Sequence, residues 1–307
     1  MTCLHKAEET MSRALQLVSA FGLVSLLVAP ATGATIYNNL TPSNLMAVAT
    51  RPDTAPFEIE AGDDFFLGSE TRITGASFDG LLVPGPSGAM PTISQLLVEI
   101  YRVFPADSNV ARTSGPPTFS TPQVPTRVNS PSDVAFDTRD SAGGGLSFMS
   151  TVLSATFTAN NSVKPGGIHP MPGQTTGGNG QVIGQEVQIN VTFLVPFDLP
   201  GDHYFFVPQV LLSNGGDFFW LSASRPISGP GTTPFPAGVT DLQAWTRDAG
   251  LDPDWLRVGT DIVGGATPPT FNTAFSLDGT VVPEPTTEML ILAGVSLIGL
   301  GWRRRSS

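Results

Sequence analysis

The sequence predicts an all-β body, an antiparallel β-sandwich of jelly-roll type, set between an N-terminal signal peptide and a C-terminal transmembrane helix. Three observations lead there. The 307 residues include 33 glycines and 28 prolines, a load that suits many short strands joined by turns. Short segments alternate apolar and polar residues between those turns, and no long segment repeats with the 3.6-residue period of a helix. The two longest apolar runs lie at the extreme ends of the chain, where they read as targeting segments rather than core.

The first element is the signal peptide, residues 1–34. Arg13 supplies a positive charge, "ALQLVSAFGLVSLLV" (Ala14 to Val28) is an apolar run of signal-core length, Pro30 breaks it, and Thr32-Gly33-Ala34 offers small residues for cleavage after Ala34. Glu8 and Glu9 are out of place in the charged end of a signal, so Met11 competes with Met1 as the true start. The run is short for a membrane anchor. Cleavage by signal peptidase after passage through the Sec machinery would remove Cys3, the only cysteine, and leave the body with no thiol and no disulfide.

The body, residues 35–281, follows. Strands are expected at "TRITGASFDGLLV" (Thr71 to Val83), "ISQLLVEIYRVF" (Ile93 to Phe104), "STVLSATFTA" (Ser150 to Ala159), "QEVQINVTFLV" (Gln185 to Val195), "HYFFVPQVLL" (His203 to Leu212), "DFFWLSAS" (Asp217 to Ser224) and "FNTAFSLDG" (Phe271 to Gly279). In the second of these, Leu97, Glu99, Tyr101 and Val103 share one face, with Val98, Ile100, Arg102 and Phe104 on the other. In the fourth, Val187, Ile189, Val191 and Phe193 alternate with polar residues, as in a half-buried strand. "SNGGD" (Ser213 to Asp217) between two such runs reads as a hairpin turn. Residues 105–145 and 165–184, rich in Pro, Gly, Ser and Thr, read as long surface loops.

Chemistry-bearing motifs are scarce. The chain has three histidines and no Gly-x-Ser-x-Gly elbow, HExxH or phosphate loop, so no enzymatic activity is expected. His169 lies in the second loop, and the Asp202-His203 pair opens a strand, where adjacent side chains point to opposite faces. The net charge of −11 disfavours nucleic acid and anionic lipid as partners. Two acidic clusters, Gly62-Asp63-Asp64 and "LDPDW" with Asp252 and Asp254, put carboxylates on expected loops, where a structural calcium ion would bind; no other cofactor is implied. Trp220, Trp245 and Trp255 are the aromatic candidates, with Trp245 and Trp255 taken as rings that would stack on a sugar if exposed.

The tail is the most specific element. Val282-Pro283-Glu284-Pro285 should be stiff and extended, because each proline fixes its own φ and pushes the preceding residue toward extended geometry. An apolar helix over 287–302 follows, then Arg303, Arg304 and Arg305. Its unbroken part from Met289 to Trp302 would be about 21 Å long as a helix, short of the roughly 30 Å of bilayer hydrocarbon. The arginines would hold the end of the chain on the cytoplasmic side. This order of motif, helix and arginine cluster, over residues 282–307, resembles the PEP-CTERM sorting signal. The resemblance implies recognition by exosortase, a membrane-embedded cysteine transpeptidase, transient residence in the inner membrane, cleavage at or near the motif, and release to the envelope or outside in bacteria that make exopolysaccharide. The expectation is therefore an exported envelope or matrix protein with a structural or adhesive role among exopolysaccharide. The alternative is a carbohydrate-binding or carbohydrate-cleaving module, which needs paired acids in a cleft beside Trp245 or Trp255.

Overall fold

Fifteen strands alternate along the chain in this computed structural model, which describes residues 33–53, 57–109, 129–168, 175–223, 242–248 and 255–283. The strands are β1 (Ala34–Asn38), β2 (Pro42–Ala49), β3 (Ile59–Phe66), β4 (Thr71–Val83), β5 (Ile93–Arg102), β6 (Asp137–Asp140), β7 (Leu146–Ala159), β8 (Ser162–Val163), β9 (Val182–Leu199), β10 (His203–Leu212), β11 (Asp217–Ala223), β12 (Trp245–Asp248), β13 (Leu256–Arg257), β14 (Asn272–Thr273) and β15 (Phe275–Val281). The helical turns among the described residues are a 3-10 turn at Ser213–Gly215 and a π-helical turn at Val258–Val263, which agrees with the missing 3.6-residue period. No helix of the described residues is long and apolar enough to cross a membrane. The signal segment 1–32 and the apolar segment 287–302 lie outside the described residues. A compact unit begins at Gly33, and Ala34, the expected cleavage residue, is exposed and opens β1.

The strands build two sheets. One has nine strands and runs β1-β15-β4-β11-β2-β8, with β9 on the other edge of β4, β7 beyond β9, and β14 on β11. The other runs β13-β12-β3-β10-β5-β6. Pairing is antiparallel except for the two-residue contact of β2 with β8. The sheets face each other across a core of large aromatic rings. Phe206 of the smaller sheet stacks on Phe275 of the larger at 5.2 Å and meets Trp220 edge-on at 5.9 Å. Phe78 lies 6.1 Å from Phe206. A sandwich is the expected outcome, since each sheet must bury one apolar face.

Alternation supplies those faces. Val187, Ile189, Val191 and Phe193 of β9 are all buried, as their spacing predicts. Leu96, Val98 and Ile100 of β5 enter the main core, while Glu99 and Tyr101 point to the far side of the sheet. On β10, Tyr204, Phe206 and Val210 join the main core, and Phe205 and Val207 join a second cluster with Tyr101, Trp245 and Trp255. The smaller sheet is thus covered on both faces, and that second cover positions the site described below.

Several expectations need correction. "SNGGD" does not close a hairpin: β10 pairs with β3 and β5, and β11 pairs with β2, β4 and β14, so this turn carries the chain from one sheet to the other. The turn residues do their local work, with Asn214 at φ 62° and Gly215 at φ 67°, but turn chemistry does not choose a strand's partner. Gly62-Asp63-Asp64 is not a loop but the middle of β3, with Asp63 and Asp64 both buried. Parts of the expected loops are ordered too. Ser130, Pro131 and Ser132 are buried, β6 pairs with β5, and β9 already begins at Val182.

Candidate functional site

The outer face of the smaller sheet carries the densest group of ionisable side chains among the described residues. Glu60 comes from β3, Glu99 and Tyr101 from β5, Arg247 from β12, and Gln209 from β10, which lies between β3 and β5. Glu58 precedes β3. The pairing Arg247↔Glu60 puts those two side by side on one face. Glu58, Glu60 and Glu99 each offer an oxygen, and the three oxygens lie within 4.8 Å of one another.

Hydrogen bonds organise the group. The Arg247 guanidinium grips Glu60 through Nε and, at 3.1 Å, through Nη2. Its Nη2 also donates to Tyr101 Oη at 3.1 Å, and its Nη1 donates to the Asp133 carbonyl at 2.9 Å. Tyr101 Oη lies 2.5 Å from Glu60 Oε1 and 3.0 Å from Glu99 Oε2. One phenolic proton cannot serve both acceptors. Gln209 Nε2 donates to Glu58 Oε1 at 3.1 Å and to Glu99 Oε2 at 3.2 Å. Burial pushes Glu99 up to about 7, with the Glu60 carboxylate adding to the rise and the Tyr101 bond opposing it. Burial raises Glu58 as well, again with Glu60 behind it. Arg247 is buried, which acts against its charge, yet Glu60 outweighs this and its pKa is raised. Three carboxylates facing one guanidinium leave excess negative charge when all are ionised, in a place that Glu58 and Glu99 leave partly open to water.

The cover over this face is aromatic. Trp255 meets Tyr101 edge-on at 5.4 Å, lies under the Arg247 guanidinium at 4.6 Å and donates from Nε1 to the Ser132 carbonyl at 2.9 Å. Gly62 makes room for this layer, since a Cβ there would stand 3.0 Å from Val207 and 3.8 Å from the Trp255 ring. Trp245 and Trp255 are both 0% exposed. The expectation that these rings stack on a sugar is therefore corrected: in this fold both are buried, Trp255 with its Nε1 bonded to Ser132 O. Trp220 is likewise buried in the main core, its Nε1 donating to Ala274 O at 3.0 Å.

The remaining described candidates do not join this group. Asp252 and Asp254 lie outside the described residues, as does His169. Asp63 points into the core, where its Oδ2 accepts from Thr273 N at 2.6 Å and Oγ1 at 3.1 Å; burial, with Asp64 beside it, raises its pKa well above the usual carboxylate range. His203 receives no help from Asp202 through its ring: Asp202 Oδ1 accepts from the His203 backbone N at 2.8 Å, while the ring stacks on Phe66 at 4.1 Å with Nε2 3.8 Å from Asp64 Oδ1. A hollow of about 310 Å³ opens between the sheets beside Thr50, Arg51, Val210 and Asp217. Its one carboxylate, Asp217, faces Arg51 at 3.6 Å. Sequence reasoning missed the Glu58–Glu60–Glu99 group; the only signal was the polar face of β5, on which Glu99 and Tyr101 had been placed together.

At the body's end, Val282 is still tied in, its N donating to Glu70 O at 2.9 Å. Pro283 is the last described residue, and Glu284, Pro285, Arg303, Arg304 and Arg305 lie beyond it. No curated protein and no solved structure matches this chain. Residues 281–305 match the family model of the PEP-CTERM protein-sorting motif, so the chain ends in a signal that supports its sorting by exosortase to the envelope or the extracellular space.

Proposed function

We propose that this is an exported structural or adhesive protein that works among exopolysaccharide, is not an enzyme, and reaches the inner membrane only transiently through its C-terminal segment. The sorting motif supports the destination. The observation that carries the role is the closed sandwich: the tryptophans 220, 245 and 255 are all fully buried, and the acidic group on the smaller sheet is roofed by Trp255 and clamped by Arg247. A glycosidase needs two carboxylates set apart across an open cleft. The hollow beside Thr50 and Arg51 has a single carboxylate, already paired with an arginine. Signal peptidase and the Sec machinery complete the export route in this reading, and the net charge of −11 disfavours nucleic acid as a partner.

The test compares wild type with Glu284→Ala in a host with and without exosortase. Wild type should appear in the matrix fraction, shortened by its tail, only when the enzyme is present. Glu284→Ala should stay full-length in the inner membrane. A wild-type tail that persists in the host with the enzyme sinks the sorting half of the proposal. Incubating the exported protein with purified exopolysaccharide tests the other half: release of reducing ends would replace the structural role with the carbohydrate-cleaving alternative.

A further inference from the structure

We infer that Glu58, Glu60, Glu99 and Gln209 form a binding site for one calcium ion on the outer face of the smaller sheet. The argument starts from geometry. Calcium takes six to eight oxygens at 2.3–2.6 Å, so two oxygens on opposite sides of one ion stand about 5 Å apart. The three carboxylate oxygens lie within 4.8 Å of one another, which is the spread one such ion spans.

Gln209 is the second, independent observation. Its side chain is 0% exposed and aimed into the carboxylates, and its Oε1 has no hydrogen-bond partner. An orphaned amide oxygen in a fully buried side chain is costly. Here the amide turns its NH2 toward two carboxylates, because a carbonyl oxygen pointed at them would be repelled. A cation between the carboxylates reverses that preference. Rotation of the amide would then bring Oε1 onto the ion as a neutral ligand, in exchange for the two bonds that Nε2 now donates to Glu58 and Glu99.

Charge points the same way. Glu60 already has Arg247 as its counter-ion, bound through two nitrogens. Glu58 and Glu99 hydrogen-bond to an amide and a phenol, whose single proton cannot serve both Glu60 and Glu99, and feel Arg247 without a direct bond to it. Thr138 Oγ1, 3.5 Å from Glu99 Oε1, adds one weak neutral contact. With both carboxylates ionised, two negative charges are left for a divalent ion. Glu58 and Glu99 are half-buried, which gives the ion a way in and lets water fill its remaining positions. Magnesium is the poorer fit, because it needs near-ideal octahedral geometry and gives up its waters reluctantly. A site of this charge and openness belongs to the range of about 10⁻⁴–10⁻³ M seen in extracellular modules.

The experiment uses the exported protein, stripped of metal and titrated calorimetrically with calcium chloride at pH 8. One equivalent should bind, and the melting temperature should rise with calcium. Glu99→Gln should weaken that equivalent at least tenfold, and Gln209→Leu should weaken it less. If Glu99→Gln does not fold, Glu58→Gln, at the half-buried rim, carries the same prediction. A wild-type protein that binds no calcium overturns the inference. So does an equivalent that survives in Glu58→Gln or Glu99→Gln and vanishes in Asp252→Ala, which would place the ion on the 251–255 segment instead.

Discussion

On the outer face of the smaller sheet, Trp245 and Trp255 are 0% exposed. At the β7 edge of the larger sheet, Met149 and Val152 are 74% and 53% exposed. Both regions carry apolar side chains, yet only one is roofed. Val152 pairs with Val187, so the two share a face, and Val187 is 1% exposed. Along the middle of β7 the core therefore gives out, although the strand's ends, Leu146 and Ala159, are still buried in it. Among the described residues β7 pairs with β9 alone, over fourteen residues that include no charge and no proline. Natural edges usually carry such blocking residues. The difference shows where this fold places its cover: over an ionic group whose burial is offset by the Arg247–Glu60 pairing, and not over the middle of an apolar strand, whose exposure forgoes hydrophobic stabilisation.

The largest effect should come from lifting the roof. Trp255→Ala removes a fully buried ring with its Ser132 hydrogen bond and should cost about 3–5 kcal/mol, read as a lower urea midpoint. If the loss is under about 1 kcal/mol, the roof is not part of the cooperative fold and the contrast with β7 fails. Arg247→Met should cost about 3 kcal/mol, since it leaves Glu60 buried without its counter-ion.

A third prediction concerns Asp79 of the larger sheet, which is buried and raised to about 6 by burial, against a bond from Gln188 that lowers it. The folded state then holds this proton more tightly than the unfolded chain, so its contribution is present below about pH 4 and is lost as the pH rises through about 6. Asp79→Asn should remove that part of the slope, worth on the order of 1–2 kcal/mol, in melting curves recorded from pH 4 to 8. The smallest effect belongs to β7: Met149→Lys should shift the same urea midpoint by no more than about 0.5 kcal/mol. A loss as large as that of Trp255→Ala would mean that β7 is as well packed as the roof.

How much of this could be read beforehand follows from the physics of each segment. β4 and β10 were bounded correctly at Thr71 to Val83 and His203 to Leu212, because long apolar-rich runs end at clear turns. β3 was missed since "GDD" looks like a turn, and only the fold supplies the Thr273 donors that let Asp63 sit inside. β12, β13 and β14 are two to four residues long, too short for any period to show. The Glu58–Glu60–Glu99 group was illegible for a different reason. Its members come from β3, the residue just before it and β5, separated by β10, and a neighbour relation between strands distant in sequence leaves no trace in local spacing. The tail was legible outright, because its signal is a linear motif that needs no fold to be recognised.

β15 does not sit at a sheet edge but between β1 and β4, and Val282 is bonded to Glu70 just past its end. Synthesis runs from the N-terminus, so the strand that closes the larger sheet is the last strand of the body to be made. Until residue 281 emerges, β1 has no sheet partner, and the edge of β4 from Thr71 to Phe78 stays open. Completion of the sandwich and appearance of the sorting tail are thus one event in time. A truncation that spares the body but stops short of Val281 would leave a nascent sheet with an unfilled slot. The address is written directly after the keystone, so a chain that displays its tail has already been given the means to fold.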